Sequence, residues 1–463
     1  MTDLTVGLDI GTSSVKAIAA DGDGNVVASA RVPHEYRVPA PERLEHDATV
    51  AWRDGPLAAL AALDVGDHDV RGVSVSAMVP SLTAVDESGT PLLPGLLYGD
   101  ERGRSGEEAG APVTGLEFGG FVRWMTDEAP AAHGLWPAQA VANFALAGVA
   151  AVDMTTASTA YPVYNFTEWD AELAAGLGAR VEQFPRVLPI GAEAGRLAEG
   201  GAALASGCID AFAEELVAGA DQPGDVLVLL GTTLIVWVVA AGTGEVPGWV
   251  VLPNPAAGQT RVGGPSNAGG LFCDWVGRMV GPLAGDGAPP RPDRVPVWAP
   301  YLRGERSPIN NPDLRAVLDG LDLTHDAAAV RHAAFEASGF VVRRAIDATR
   351  DALGSEPRRI VASGGGIRVD AWLQALADAT GLPVDCVAVP DGAALGSAWL
   401  ARMAAGLEEP SALHDARRWA RAGRTVDPRT DWLEPVAERY ERFRRLTDAL
   451  TATAEAPGPL PGR

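Results

Sequence analysis

The chain has 463 residues, and since single cores stop growing near about 250–300 residues, more than one domain is expected. With 47% apolar and 21% charged residues it can bury a sizeable core, and its net charge of −23 argues against nucleic acid and anionic membrane surfaces as partners. Three scattered cysteines (Cys208, Cys273, Cys386) make neither a metal motif nor a disulfide framework, and the N-terminus lacks a secretion signal, so a reducing, cytoplasmic setting is expected.

Leu4–Ile10 reads as a buried strand, Gly11-Thr12-Ser13-Ser14 as a small-residue tip, and Val15–Ala19 as a second strand. A turn at Asp21–Asn25 leads to a third strand from Val26, which makes a β-meander. Such a tip suits phosphate: glycine lets the backbone approach, successive N–H groups point at an anion, and three hydroxyls add donors. It is not a P-loop, because the G-x-x-x-x-G-K-[ST] spacing and the following helix are absent. Asp9, beside the tip, would repel a phosphate unless a cation lay between them, so it is a candidate to hold the waters of Mg²⁺. Lys16 is the one lysine among 37 basic residues. It is therefore a candidate for a site shaped for a point charge, chance survival being the plain alternative.

Further on, Asp100-Glu101-Arg102-Gly103-Arg104 is a charged loop. Asp100 and Arg102 read either as a surface pair or as an acceptor and a donor for a small polar ligand. The stretch from Ala211 has helical composition, with Asp210 placed either as its N-cap or as a proton acceptor in a cleft.

Val226–Gly244 is 19 residues without a charge, close to a membrane span in length. Gly231-Thr232-Thr233 interrupts it, so two buried strands joined by a tight turn are predicted. Asp225–Trp237 thus repeats the pattern of Asp3–Lys16: acid, strand, Gly-Thr tip, strand. Two such tips, one opening each half, predict a duplicated subdomain whose tips face a cleft. The boundary is placed at Ala220–Gly224, giving domains 1–221 and 222–450 and a tail at 451–463. Ile360–Ser363 runs as a strand into Gly364-Gly365-Gly366, with a helix from Asp370. A flat adenine or ribose could lie against that backbone, or the segment is an ordinary strand-to-helix turn. Asp391–Ala398 opens a small-residue helix suited to close packing, and 284–292 reads as a surface loop.

In this order the motifs resemble the FGGY carbohydrate kinases of the actin/hexokinase-like superfamily. The likeness rests on Asp9–Lys16, Tyr98-Gly99-Asp100-Glu101-Arg102, Ala151–Ser158, Gly207–Ala211, Pro300–Pro308 with Gly320-Leu321, Gly364–Gly366 and Ala394-Leu395-Gly396. It implies an α/β fold of two ribonuclease H-like domains, each a mixed five-stranded sheet flanked by helices, with a cleft between them. It implies transfer of the γ-phosphoryl group of ATP, with Mg²⁺, to a terminal hydroxyl of an open-chain sugar. A pentulose of the xylulose type comes first, with gluconate, another aldonate or a polyol as alternatives. A sugar- or nucleotide-binding sensor is the alternative of another class. Asp210 would be the general base. Gly11, Thr12, Ser13, Ser14 and Lys16, with Gly231, Thr232 and Thr233, would hold phosphates. Gly364, Gly365, Gly366 and Arg368 would border the nucleoside. Met78, Val79, Asp100 and Arg102 would face the sugar, and Asp9 would hold the metal through water. In Gly304-Glu305-Arg306 the two charges are expected to brace the domain. The partners are then the sugar and ATP, and the resemblance leaves room for a homodimer. The chain departs from the family's pattern mainly on the sugar side. Pro80 stands where relatives place histidine, Tyr98 where tryptophan is usual, and Gln139-Ala140 where many carry Lys-Asp. The insert around Gly110-Ala111-Pro112 is short.

Overall fold

The computed structural model describes residues 3–41, 43–103, 113–220, 222–253, 259–282, 290–389 and 391–455. The insert at 110–112, most of the loop at 284–292 and the tail from 456 lie outside the described residues.

The chain divides into two compact units. The first comprises residues 1–219 and 391–420, the second residues 220–390 and 421–463. The segment 391–420, read from the sequence as part of the C-terminal domain, therefore belongs to the first unit. The last helix, Leu433–Glu455, continues through the first residues of the expected tail at 451–463.

In the first unit, β1 (Asp3–Ile10), β2 (Ser14–Ala20) and β3 (Val26–Pro33) form the predicted antiparallel meander. On the other side of β1 lie β4 (Asp69–Ala77) and β5 (Ala203–Ala205), both parallel to their neighbours. The second unit repeats this plan. Its β6 (Asp225–Leu230) and β7 (Leu234–Ala241) make the hairpin, and β8 (Gln259–Ser266) pairs antiparallel with β7. On the far side β9 (Arg359–Ser363) and β10 (Val384–Val387) run parallel to β6. Strand order and direction are the same in both units, which bears out the duplication read from the two Gly-Thr tips. Each sheet is larger than the expected five strands, reaching seven. The first gains Glu193–Arg196 at its edge and Cys208–Ile209 beside β4, and the second gains Val250–Pro253 and Ala422–Val426 at its two edges.

The strands explain their own burial. Leu4, Val6, Leu8 and Ile10 of β1 and Val226, Val228 and Leu230 of β6 are buried apolar residues at alternate positions, as a sheet face packed on a core requires. The opposite face of β1 is closed by the returning helix Gly392–Ala404, and here the approach is close enough to demand glycine. A Cβ on Gly7 would meet the Ala394 carbonyl oxygen at 1.8 Å, and one on Gly72 the Ala401 oxygen at 2.4 Å. That contact gives the physical reason why the segment joins the first unit: its small-residue face fits the glycines of β1 and β4. No helix among the described residues is long and apolar enough to cross a membrane.

Candidate active site

Three parallel strands of the first sheet end at one level. Ile10 of β1 pairs with Ala77 of β4, and Ala77 pairs with Ile209 of the short Cys208–Ile209 strand. The residues that follow each end are Gly11, Met78 and Asp210. In α/β sheets ligands bind at such carboxyl ends. Met78 is buried, and Val79 is half-buried.

Asp9 is 4% exposed, and its Oδ1 accepts a hydrogen bond from Ser76 Oγ at 3.3 Å. Lys16 faces it across the hairpin, with Nζ 3.4 Å from Asp9 Oδ2 and 3.4 Å from Asp391 Oδ1. Burial raises the Asp9 carboxyl above its ordinary value, partly offset by Lys16. Burial pulls the Lys16 ammonium down, but the carboxylates of Asp9, Asp391 and Glu214 outweigh it and the net shift is upward. Asp210 is the first residue of the helix Asp210–Ala218, one position later than the predicted N-cap. Ile209 occupies the cap, and Asp210 Oδ1 accepts from the Ala211 N–H at 2.7 Å. Burial, then the charge of Asp9, lifts the Asp210 carboxyl to about 6. A carboxylate so tuned takes up a proton near neutrality.

The approach to Asp210 is pinned by residues given no role at the site by the sequence alone. Gln139 Nε2 donates to the Ser206 carbonyl at 2.7 Å, and Thr155 Oγ1 accepts from the Ile209 N–H at 3.3 Å. At the tip, Ser13 is exposed and Thr12 half-buried, whereas Ser14 is buried at the start of β2.

Asp100 and Arg102 depart from their expected role. Asp100 is fully buried and accepts four hydrogen bonds: from the Arg102 N–H and Nε at Oδ1, and from the Leu44 N–H and an Arg102 terminal nitrogen at Oδ2. Arg102 also reaches Glu45 Oε2 at 2.7 Å and lies 4.8 Å from the Trp124 ring centre. Its two oxygens so engaged, Asp100 has no lone pair left for sugar hydroxyls, and Arg102 commits Nε and one terminal nitrogen to Asp100 and Glu45. The pair forms a buried brace with Glu45 and is not the surface pair of the plainer reading.

In the second unit Leu229 of β6 pairs with Ser363 of β9, so the tip Gly231–Thr233 and the cluster Gly364–Gly366 follow the ends of adjacent parallel strands. Gly364 has φ +89°, and a Cβ on Gly366 would come within 2.7 Å of both Leu230 and Trp372, which explains the glycines at both positions. Arg368 and Gly365 are exposed beside them. The N–H groups of Gly270 and Leu271 donate to the Gly231 and Thr232 carbonyls at 2.8 and 3.1 Å. An Arg306 terminal nitrogen donates to Thr233 Oγ1 at 3.1 Å. Glu305 is buried and accepts from Ser266 Oγ and from the Asn267 and Arg306 N–H groups; burial pushes its carboxyl up to about 7. Glu305 thus braces the domain as expected, while Arg306 reaches the tip itself.

The N-terminal domain of the FGGY family of carbohydrate kinases matches residues 4–109, and the C-terminal domain of that family matches residues 242–405, together more than half of the chain. The chain belongs to the FGGY family. It is a carbohydrate kinase, a phosphotransferase with an alcohol group as acceptor and ATP as donor. It is 28% identical to a xylulose kinase from Klebsiella pneumoniae over 89% of this chain and 94% of that one. A crystal structure of xylulose kinase from Rhodospirillum rubrum superposes with a TM-score of 0.76 at 25% identity, covering 97% of this chain and 99% of that one. A gluconate kinase from Lactobacillus acidophilus shares the fold, with a TM-score of 0.79 at 19% identity over 98% and 99% of the two chains.

Proposed function

We propose that this FGGY kinase transfers the γ-phosphoryl group of Mg-ATP to a terminal primary hydroxyl of an open-chain pentulose of the xylulose type. The observation that carries the reading is Asp210, held at the carboxyl end of a parallel strand with its carboxyl lifted to about 6, next to the Asp9–Lys16 pair and the Gly11 tip. Asp210 accepts the proton of the sugar hydroxyl. The hydroxyl oxygen bonds to the γ-phosphorus as the bond to the bridging β–γ oxygen breaks, and ADP leaves. In the first unit the backbone N–H groups and hydroxyls of the tip, with Lys16, offset phosphate charge; in the second unit the tip and Arg306 are suited to the same task. Gly364–Gly366 and Arg368 border the nucleoside.

Asp9 fits a water-held Mg²⁺. It is a buried carboxylate beside the Gly11 tip, and its cationic partner Lys16 is shared with Asp391. Mg²⁺ keeps several waters and takes one or two carboxylates plus phosphate oxygens. When bound, it would neutralise charge on the transferring phosphoryl group. ATP use and three free, buried cysteines support a cytoplasmic setting.

The pentulose reading stands above the aldonate one because Arg102, the cation proposed for a carboxylate, is bound to Glu45 and Asp100. ADP release measured across ketopentoses, aldonates, glycerol and glucose tests it. The highest kcat/KM is expected with a ketopentose. Turnover of glycerol or glucose with none of any ketopentose or aldonate overturns it, and sugar binding without turnover favours a sensor.

A further inference from the structure

Thr12 is held at both ends by the small sheet beside the first tip. That sheet includes Glu45–His46 and Gly95–Leu97, which pair directly, and Tyr98 follows the second of them. The Tyr98 hydroxyl and Thr12 Oγ1 lie 3.1 Å apart and share a hydrogen bond. His46 Nε2 lies 2.8 Å from the Thr12 carbonyl oxygen, and Trp52 Nε1 lies 3.0 Å from His46 Nδ1. An indole N–H can only donate, so Nδ1 is the bare nitrogen and Nε2 carries the proton that donates to Thr12. Burial, and the neighbouring His34, push the His46 imidazole down to about 4, so this arrangement persists at neutral pH. The His34 N–H donates to the Ser13 carbonyl at 3.0 Å. The tip's carbonyls are therefore fixed from behind, and the Thr12 hydroxyl is the group left to orient.

We propose that Tyr98 is a positioning residue for the first tip: its hydroxyl donates to Thr12 Oγ1 and turns the Thr12 proton toward an anion bound there. A threonine hydroxyl has one proton, so when it donates to a phosphate oxygen its bond with Tyr98 must be one that it accepts. Donation from the phenol also strengthens the outgoing bond. The same tyrosine is the last residue before Gly99 and Asp100, in the segment the family uses for sugar recognition. Nucleotide affinity is then set partly from that segment. The inference rests on the kinase reading.

The test is calorimetric binding of a non-hydrolysable ATP analogue with Mg²⁺, alongside KM for ATP and sugar, in Tyr98→Phe, Thr12→Val and the double variant. Losing one hydrogen bond typically weakens binding by about two- to tenfold. Each single variant should lose affinity in that range, the double variant should lose no more than either single one, and sugar KM should stay within twofold. Unchanged analogue affinity in Tyr98→Phe overturns the proposal, whether or not its Tm falls. Additive losses, or a shift in sugar KM alone, overturn it too. A wild-type protein that binds no analogue would instead sink the kinase reading itself.

Discussion

The two tips share one scaffold and differ in what stands around it. Each closes a three-residue turn between antiparallel strands, with the Gly11 N–H bonded to the Ser14 carbonyl and the Gly231 N–H to the Thr233 carbonyl. Around the first stand Asp9, Asp210 and Asp391, with one lysine among them. Around the second stand a helix start, Arg306 and a glycine cluster, with Glu305 behind them. The fold supplies donors at both places, but the first is ringed by three aspartates and a lysine, whereas the acid of the second, Glu305, is held by Ser266 and two backbone N–H groups. Duplication gave the chain two tips of one build, and the flanking side chains set them apart, so the proposed chemistry is assigned to the first.

The contrast breaks most sharply at Asp210. Asp210→Asn should lower turnover by about 10²–10⁴-fold while leaving nucleotide affinity within a few-fold. Wild-type kcat/KM should rise with pH through about 6, because the base must be ionised, and the residual rate of the variant should not. Stability runs the other way. Between the ordinary carboxylate value and about 6 the folded state holds a proton that the unfolded chain has lost, so this group makes the fold less stable as pH rises. Asp210→Asn should therefore be more stable than wild type at pH 8, by about 1–3 kcal/mol in denaturant unfolding. A variant that turns over within a few-fold of wild type would leave Asp210 with only a structural part.

Lys16→Arg keeps the charge but puts a forked guanidinium where a point charge sits 3.4 Å from each of two carboxylates. KM for ATP should rise about tenfold, with sugar KM nearly unchanged. Equal kinetics would make the lysine incidental and remove one distinction between the tips.

The smallest kinetic effect is expected in the second unit. In Glu305→Gln the amide oxygen can keep both N–H donors, and Ser266 Oγ can turn from donating to accepting. Unfolding free energy at pH 8 should rise by about 1–3 kcal/mol, as for Asp210→Asn, because the amide carries no buried charge, while kcat and both KM values stay within a few-fold. The wild-type decline in stability from this group, as pH rises from the ordinary glutamate value to about 7, should vanish. A large kinetic loss at constant stability would show that the second tip is reactive as well.

Local pattern made the hairpins legible. Alternating apolar residues, the Gly-Thr turns and the repeated leading acid are contained in a dozen neighbouring residues, and the structure keeps them as read. What was not legible depends on residues distant in the chain. Asp391 reaches Lys16 only because the chain returns to the first unit, and nothing near residue 16 signals that. Asp100 and Arg102 have the composition of a ligand site, but Glu45 and the Leu44 N–H, more than fifty positions earlier, complete a closed brace. Tyr98 was visible as a departure from tryptophan, whereas its partner hydroxyl on Thr12 was not.

The glycine contacts beneath the returning helix also bear on the order in which the protein can be made. Gly7 and Gly72 lie against Ala394 and Ala401, so the face of the first sheet stays uncovered until residues 391–420 have left the ribosome. At about 5–20 residues per second, the first 219 residues wait on the order of 10–30 s for their missing helix, while the bulk of the second unit is synthesised. The half of the enzyme that is translated first is therefore completed late, and during that interval the small and polar residues of that face, among them Thr5, Ser74 and Ser76, stay open to water.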